Sequence, residues 1–154
     1  MAADPADIRG WQRLGEDVTT SGRLEESDVA RLAGLGVKQV VNLALDSHPE
    51  ALADEAGKFA AAGIAYTHIP VPFDAPDEAH FAAFCAAVEQ GPKPVHVHCI
   101  MNWRVSAFFY RFNRDHQGMA EPEARALMLQ QWQPDAADKP EWRVWADFIA
   151  PKAE

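Results

Sequence analysis

Three short runs of β-branched residues are separated by longer, alanine-rich stretches of helical period, and this alternation constrains the fold more than any other feature. Val37-Lys38-Gln39-Val40-Val41-Asn42-Leu43, Ala65-Tyr66-Thr67-His68-Ile69-Pro70-Val71 and Pro94-Val95-His96-Val97-His98 read as strands, with a weaker leading strand at Val18-Thr19-Thr20. Between them, residues 26–35 place Val29, Leu32 and Leu35 on one helical face, with Ser27 or Asp28 as the cap. Residues 50–62 carry Leu52, Ala56, Phe59 and Ala60. Residues 77–90 carry Phe81, Phe84, Cys85 and Val88, and Pro76 precedes an Asp77 cap. Further helices are expected at about 104–116, with Phe108, Phe109 and Phe112, and at about 122–132 and 141–149, each of these two opening near a proline. Strands that alternate with helices must be joined by right-handed crossovers. The pattern therefore predicts a three-layer α/β fold: a small, mostly parallel central sheet of about four strands with helices on both faces. The 154 residues suit a single domain, with a core at about 18–116 and C-terminal helices at about 121–150.

Composition narrows the function classes. Fourteen Lys and Arg against 23 Asp and Glu give a formal net charge of −9, which opposes nonspecific binding to nucleic acid or anionic lipid. Any anion handled by this chain must be held by a local site that overcomes the global field. Two cysteines, Cys85 and Cys99, make neither a disulfide framework nor a Cys-rich zinc site. The start of the chain, Met1-Ala2-Ala3-Asp4-Pro5, lacks the basic and apolar stretches of a signal peptide, and no apolar run approaches a membrane span. A cytoplasmic location with reduced cysteines is the expectation.

Ligands of parallel α/β sheets bind at the carboxyl ends of the strands. Three loops leave those ends: Leu45-Asp46-Ser47-His48, Pro72-Phe73-Asp74-Ala75 and Cys99-Ile100-Met101-Asn102-Trp103. The third runs from a buried strand into the first turn of a helix, a geometry that aims backbone N–H groups and the positive helix end at one point. That environment favours the thiolate form of Cys99, and the Arg104 fork can hold two oxygens of a bound oxyanion. A nucleophile and a guanidinium clamp on one short loop suit transfer of an anionic group.

His98-Cys99 after an apolar strand, followed by Arg104 and a helix, resembles the signature loop of the cysteine-dependent protein tyrosine phosphatases. The wider chain, from about Thr20 to Arg114, is similar to their small dual-specificity branch, and most similar to the bacterial β-lactamase hydrolase-like phosphatases. The segments that carry this likeness are Thr20-Ser21-Gly22-Arg23-Leu24, Gly36 to Leu43 and Gly63 to Val71. The resemblance implies a protein tyrosine phosphatase-like fold and a phosphomonoester hydrolase without cofactor or metal. In that chemistry Cys99 attacks phosphorus to form a phosphocysteine, Arg104 stabilises the transferring group, and Asp74, matched by position, protonates the leaving oxygen and then activates water. His98, Ile100, Met101, Asn102, Trp103 and Ser106 would form the substrate cradle. The partner implied is a phosphorylated small molecule or a phosphoprotein.

The loop also departs from the phosphatase pattern. Those enzymes place five residues between cysteine and arginine; here there are four, Ile100 to Trp103. Asn102 stands where glycine is usual, and asparagine is the best non-glycine tenant of positive φ. Val105 replaces the hydroxyl residue that follows the arginine, while Ser106 keeps the usual distance from the cysteine. A six-residue loop is the length used by rhodanese-type sulfurtransferases, so sulfur transfer is one alternative. A module that binds an oxyanion without turnover is another.

The remaining polar and aromatic candidates have plainer readings. Cys85 shares a stripe with Phe81, Phe84 and Val88 and reads as core. Asp77 is a helix cap, and Asp46 a turn residue on the same rim. His68, His96 and His98 read as hydrogen-bonding groups rather than metal ligands, with His98 orienting the cysteine loop. Trp103 could line the pocket or anchor the loop; Trp132, Trp142 and Trp145 read as packing for the C-terminal helices. Arg23 is the candidate second cation near the rim.

Overall fold

The β-branched runs pair side by side as their pattern requires. In a computed structural model, which describes residues 4–5, 7–135 and 139–150, five strands form one sheet. The strands are β1 (Gln12–Arg13), β2 (Val18–Ser21), β3 (Gln39–Asn42), β4 (Ala65–His68) and β5 (Val95–His98), in the spatial order β1-β2-β5-β3-β4. All neighbours are parallel except β1, which runs antiparallel to β2. The helices are α1 (Glu26–Gly34), α2 (Glu55–Ala61), α3 (Glu78–Gln90), α4 (Trp103–Asp115), α5 (Glu121–Leu129) and α6 (Arg143–Ile149). The signal-peptide reading of residues 1–3 lies outside the described residues.

Strand alternation sorts the core into two layers. Val41, Val95 and Val97 join Phe81, Phe84, Phe108 and Trp145 in the layer under α3, α4 and α6. Val40, one residue along β3, joins Leu32, Phe59 and Ile64 in the opposite layer under α1 and α2. Phe59, Phe84 and Phe108 are fully buried, each worth roughly 1.5–3 kcal/mol of transfer free energy.

Four expectations need correction. The sheet has five strands rather than about four. The added β1 is two residues long, too short and polar to show a period, and it covers the edge that β2 would otherwise expose. The helix expected from residue 50 starts at Glu55, because Asp54 adopts φ 50°, a left-handed corner that no helix can run through. Neither Ser27 nor Asp28 caps α1; Glu25 occupies that place, and Asp28 instead accepts a hydrogen bond from the Glu25 N–H at 2.8 Å. The last helix begins at Arg143, after a 3-10 turn at Pro140–Trp142. Asp77 does cap α3, accepting from the His80 N–H at 2.8 Å.

The central strand β5 carries two histidines on its α1/α2 face. His96 is completely buried, stacked at 5.1 Å on Trp11, between Thr19 Oγ1 and Ser21 Oγ, each at 2.8 Å. Ser21 Oγ donates to the Gly22 carbonyl, so it accepts from His96 Nε2, and Thr19 donates to Nδ1. The ring is thus held neutral: burial, reinforced by nearby His98, pushes its pKa well below 6.5. The unfolded chain protonates this histidine near 6.5 while the folded protein does not. Stability should therefore decline as pH falls from 6.5, with a slope of up to about 1.4 kcal/mol per pH unit, until the folded-state pKa is passed. Urea midpoints taken from neutral pH to about pH 5 should show this decline in the wild type and a flatter profile in His96→Gln. A parallel profile in the variant would assign the decline to other groups.

Candidate active site

Cys99 leaves the end of β5 at the centre of the sheet's carboxyl edge, its N–H bonded to the Ser21 carbonyl at 3.3 Å. The next peptides are held from the β2 side, where the Arg23 N–H donates to the Ile100 carbonyl at 2.9 Å. That carbonyl comes so close to Gly22 that a Cβ there would sit 2.5 Å from it, so only glycine fits. Asn102 then turns the chain into α4 with φ 68°. Its side chain is buried, and its Nδ2 donates to the Gly10 carbonyl at 2.7 Å and to Thr20 Oγ1 at 3.0 Å. These two bonds offset the steric cost of positive φ in a residue with a Cβ. The Ser106 N–H closes the first turn of α4 onto the Asn102 carbonyl at 3.0 Å.

A cleft of about 330 Å³ opens over this loop, lined by Leu45, Ser47, His48, Phe73, Cys99, Ile100, Met101, Trp103 and Arg104. All three predicted rim loops contribute to it. Cys99 forms part of its floor and is only 1% exposed. Arg104 is 7% exposed, and its Nη1 donates to the Val71 carbonyl at 2.8 Å. Among the described residues no carboxylate pairs with this guanidinium, whereas Arg9, Arg23 and Arg31 are each paired with carboxylates. Trp103 takes both roles open to it from sequence. It lines the cleft, and its ring stacks at 5.1 Å on Trp132.

Other sequence candidates lie apart from the cleft wall. Asp74 is exposed on a turn closed by the Ala75 N–H to the Pro72 carbonyl at 3.1 Å, beside the cleft residue Phe73. His98 faces the opposite layer, where its Nε2 meets Glu55 Oε2 at 2.6 Å with both side chains buried. Ser106 Oγ donates to the Trp103 carbonyl at 3.0 Å. Asp46 is exposed, 3.7 Å from His68 Nδ1. Arg23 pairs with Glu25 and Glu50. Cys85 is buried in the α3 layer, and burial, with Glu89 adding to it, pushes its thiol up to about 11. Among the described residues no group of three or more His, Cys, Asp or Glu side chains is placed to hold a metal ion.

The rim loops were legible in the sequence, but the contacts that set their side chains were not. Glu55 sits in an ordinary helical turn, and its pairing with His98 depends on the packing of α2 on the sheet. Ser47 and His48 reach the cleft because Glu50, two residues beyond, is gripped by Arg9 through hydrogen bonds of 2.9 and 3.0 Å. Phe73 is half-buried in a short loop, where no period marks it.

Residues 10–111 match the family model of the phosphatase-like domain of β-lactamase hydrolase-like proteins. Among curated proteins none matches the chain significantly. Of solved structures, a candidate phosphatase from Shewanella putrefaciens CN-32 shares 32% identity over 93% of this chain and 92% of its own, with a TM-score of 0.77. TpbA of P. aeruginosa, in a structure with phosphotyrosine bound, shares 23% identity over 97% of this chain and 86% of its own, with a TM-score of 0.68. A candidate phosphatase from Neisseria meningitidis Z2491 shares 22% identity over 90% and 96%, with a TM-score of 0.69. The last two show the fold alone. The family match, over most of the chain and including the Cys99–Arg104 loop, shows that this protein belongs to the β-lactamase hydrolase-like phosphatase-domain family.

Proposed function

We propose that the protein hydrolyses a phosphomonoester through a covalent phosphocysteine. The observation that carries this reading is the meeting, in one cleft at the N-terminal end of α4, of Cys99 and an Arg104 with no carboxylate partner among the described residues. In the first step the Cys99 thiolate attacks phosphorus and forms an S–P bond. The bond from phosphorus to the leaving oxygen breaks, and Asp74 gives that oxygen its proton. Loop N–H groups and Arg104 stabilise the charge on the equatorial oxygens. In the second step the Asp74 carboxylate takes a proton from water as its oxygen attacks phosphorus. The S–P bond breaks, and the thiolate and inorganic phosphate are released. The substrate class is a phosphorylated small molecule or phosphoprotein. The apolar walls supplied by Leu45, Phe73, Ile100 and Trp103 suit the hydrocarbon part of the leaving group.

For this role Arg104 must exchange or share its bond to the Val71 carbonyl with a phosphoryl oxygen. Asp74 must turn its carboxyl toward the cleft beside Phe73.

Release of phosphate from an aryl phosphate should fall at least about 10⁴-fold in Cys99→Ser, because the nucleophile is lost. In the wild type, iodoacetamide should label Cys99 and spare Cys85, whose thiol burial holds protonated. Thiosulfate-to-cyanide transfer without phosphate release would replace this reading with sulfur transfer.

Asp74→Asn should lower kcat/KM for phenyl phosphate by about 10²-fold or more and that for 4-nitrophenyl phosphate far less, since kcat/KM reports the first step, in which only the poorer leaving group needs the proton. Equal losses would make Asp74 structural.

Departure of the thiolate in the second step has no hydroxyl on the residue that follows Arg104. Val105 replaces one, and Ser106 Oγ is committed to the Trp103 carbonyl. Quench-flow with an activated aryl phosphate should therefore show a burst of about one leaving group per enzyme before slow turnover. Linear release from the first turnover would mean that dephosphorylation is not the slow step.

A further inference from the structure

The turn that carries Asp74 is gripped at two backbone carbonyls by side chains from different parts of the chain. Arg104 Nη1 holds the Val71 carbonyl at 2.8 Å on one side. Trp145 Nε1, from α6, donates to the Phe73 carbonyl on the other. The Phe73 ring is held in the same way, tilted against Trp132 at 5.6 Å, Trp145 at 5.7 Å and Trp103 at 6.3 Å. Trp145 is completely buried and lies beyond residue 111, where the family match ends.

A plain packing role would not require this hydrogen bond. Trp132 belongs to the same ring cluster, yet its buried Nε1 has no hydrogen-bond partner among the described residues. Two indoles of one cluster therefore differ at the N–H: Trp145 directs it at the Phe73 carbonyl, and that of Trp132 has no partner among the described residues. The carbonyl that Trp145 holds belongs to the Phe73–Asp74 peptide. The plane of that peptide sets the direction in which the Asp74 side chain leaves the backbone. Loss of that restraint would widen the range of positions open to Asp74 beside the cleft residue Phe73 while leaving Cys99 and the loop amides in place.

We propose that Trp145 is a positioning residue for proton transfer, fixing the peptide that aims Asp74 at the leaving oxygen. The inference rests on the assignment of Asp74 as proton donor. A small misplacement of a catalytic group costs up to about 10²-fold in rate, and here the loss falls on the step that needs the proton. Attack by Cys99 and binding by the loop are unaffected, so the signature is a change in leaving-group dependence rather than a uniform loss.

The test compares kcat/KM, which reports the first chemical step, for phenyl phosphate and 4-nitrophenyl phosphate in the wild type, Trp145→Phe, Trp132→Phe and Asp74→Asn. In Trp145→Phe, kcat/KM for phenyl phosphate should fall about 10-fold or more, within the range for misplaced groups, while kcat/KM for the 4-nitrophenyl substrate changes little. Trp132→Phe, which removes an indole N–H without a partner, should keep the wild-type ratio of the two rates. Should Trp145→Phe fold poorly, benzothienylalanine at position 145, introduced by joining a synthetic C-terminal segment, keeps the ring volume and removes only the N–H. It should give the same selective loss. Equal losses for both substrates at position 145, or the same selective loss in Trp132→Phe, would overturn the positioning role while leaving the Asp74 assignment intact. Equal losses in Asp74→Asn would overturn the assignment, and the role of Trp145 with it.

Discussion

The left-handed corner at Asn102 is the constraint on which the site depends. A parallel strand ends at His98 and a helix begins at Trp103, and the four residues between them must reverse into helical geometry around one point. A residue with a Cβ pays to hold φ 68°, and here the cost is offset by two hydrogen bonds to groups on either side of β1, Gly10 and Thr20. The corner in turn dictates its neighbours. Gly10 itself has φ +64° and would bring a Cβ within 3.1 Å of the Asn102 Cβ, and Gly22 lies against the Ile100 carbonyl. The N-terminal segment is therefore part of the cradle, bracing from behind a loop whose front is the cleft.

Electrostatics explains how a chain of net charge −9 can accommodate the oxyanion proposed for the cleft. Most of the positive charge near the rim is already neutralised, since Arg9 and Arg23 share Glu50 and Arg31 is paired with Asp7 and Asp28. Arg104 is bonded to a carbonyl instead, and the loop N–H groups add to its field. Because Arg104 and Cys99 are almost fully buried, this local field is little screened by solvent.

The face of the sheet behind the loop is polar where a parallel sheet is normally apolar. His96 is satisfied by Thr19 and Ser21, and His98 by Glu55. Fully paired groups of this kind bind β2, β5 and α2 into one unit. They do so directly beneath Cys99, whose own N–H is bonded to Ser21.

What the sequence determined by itself was local. Val95 and Val97 alternating with His96 and His98 specify a strand whose two faces differ. The spacing of Phe81, Phe84, Cys85 and Val88 specifies a helix, and His98-Cys99 with Arg104 beyond specifies the loop between β5 and α4. Those are features of period and neighbourhood, carried within a few residues. Tertiary structure decided what depends on distant parts of the chain meeting. It brought Glu55 to His98 and Gly10 to Asn102, paired the two residues of β1 with β2, and seated Trp145 on the Phe73 carbonyl. None of these pairings leaves a pattern in the sequence, because a hydrogen bond across 43 to 92 residues imposes a residue type but no spacing. The same reason explains the helix expected from residue 50: Leu52 and Ala56 fit its period, but the left-handed Asp54 and the Arg9–Glu50 pair hold that stretch as a turn.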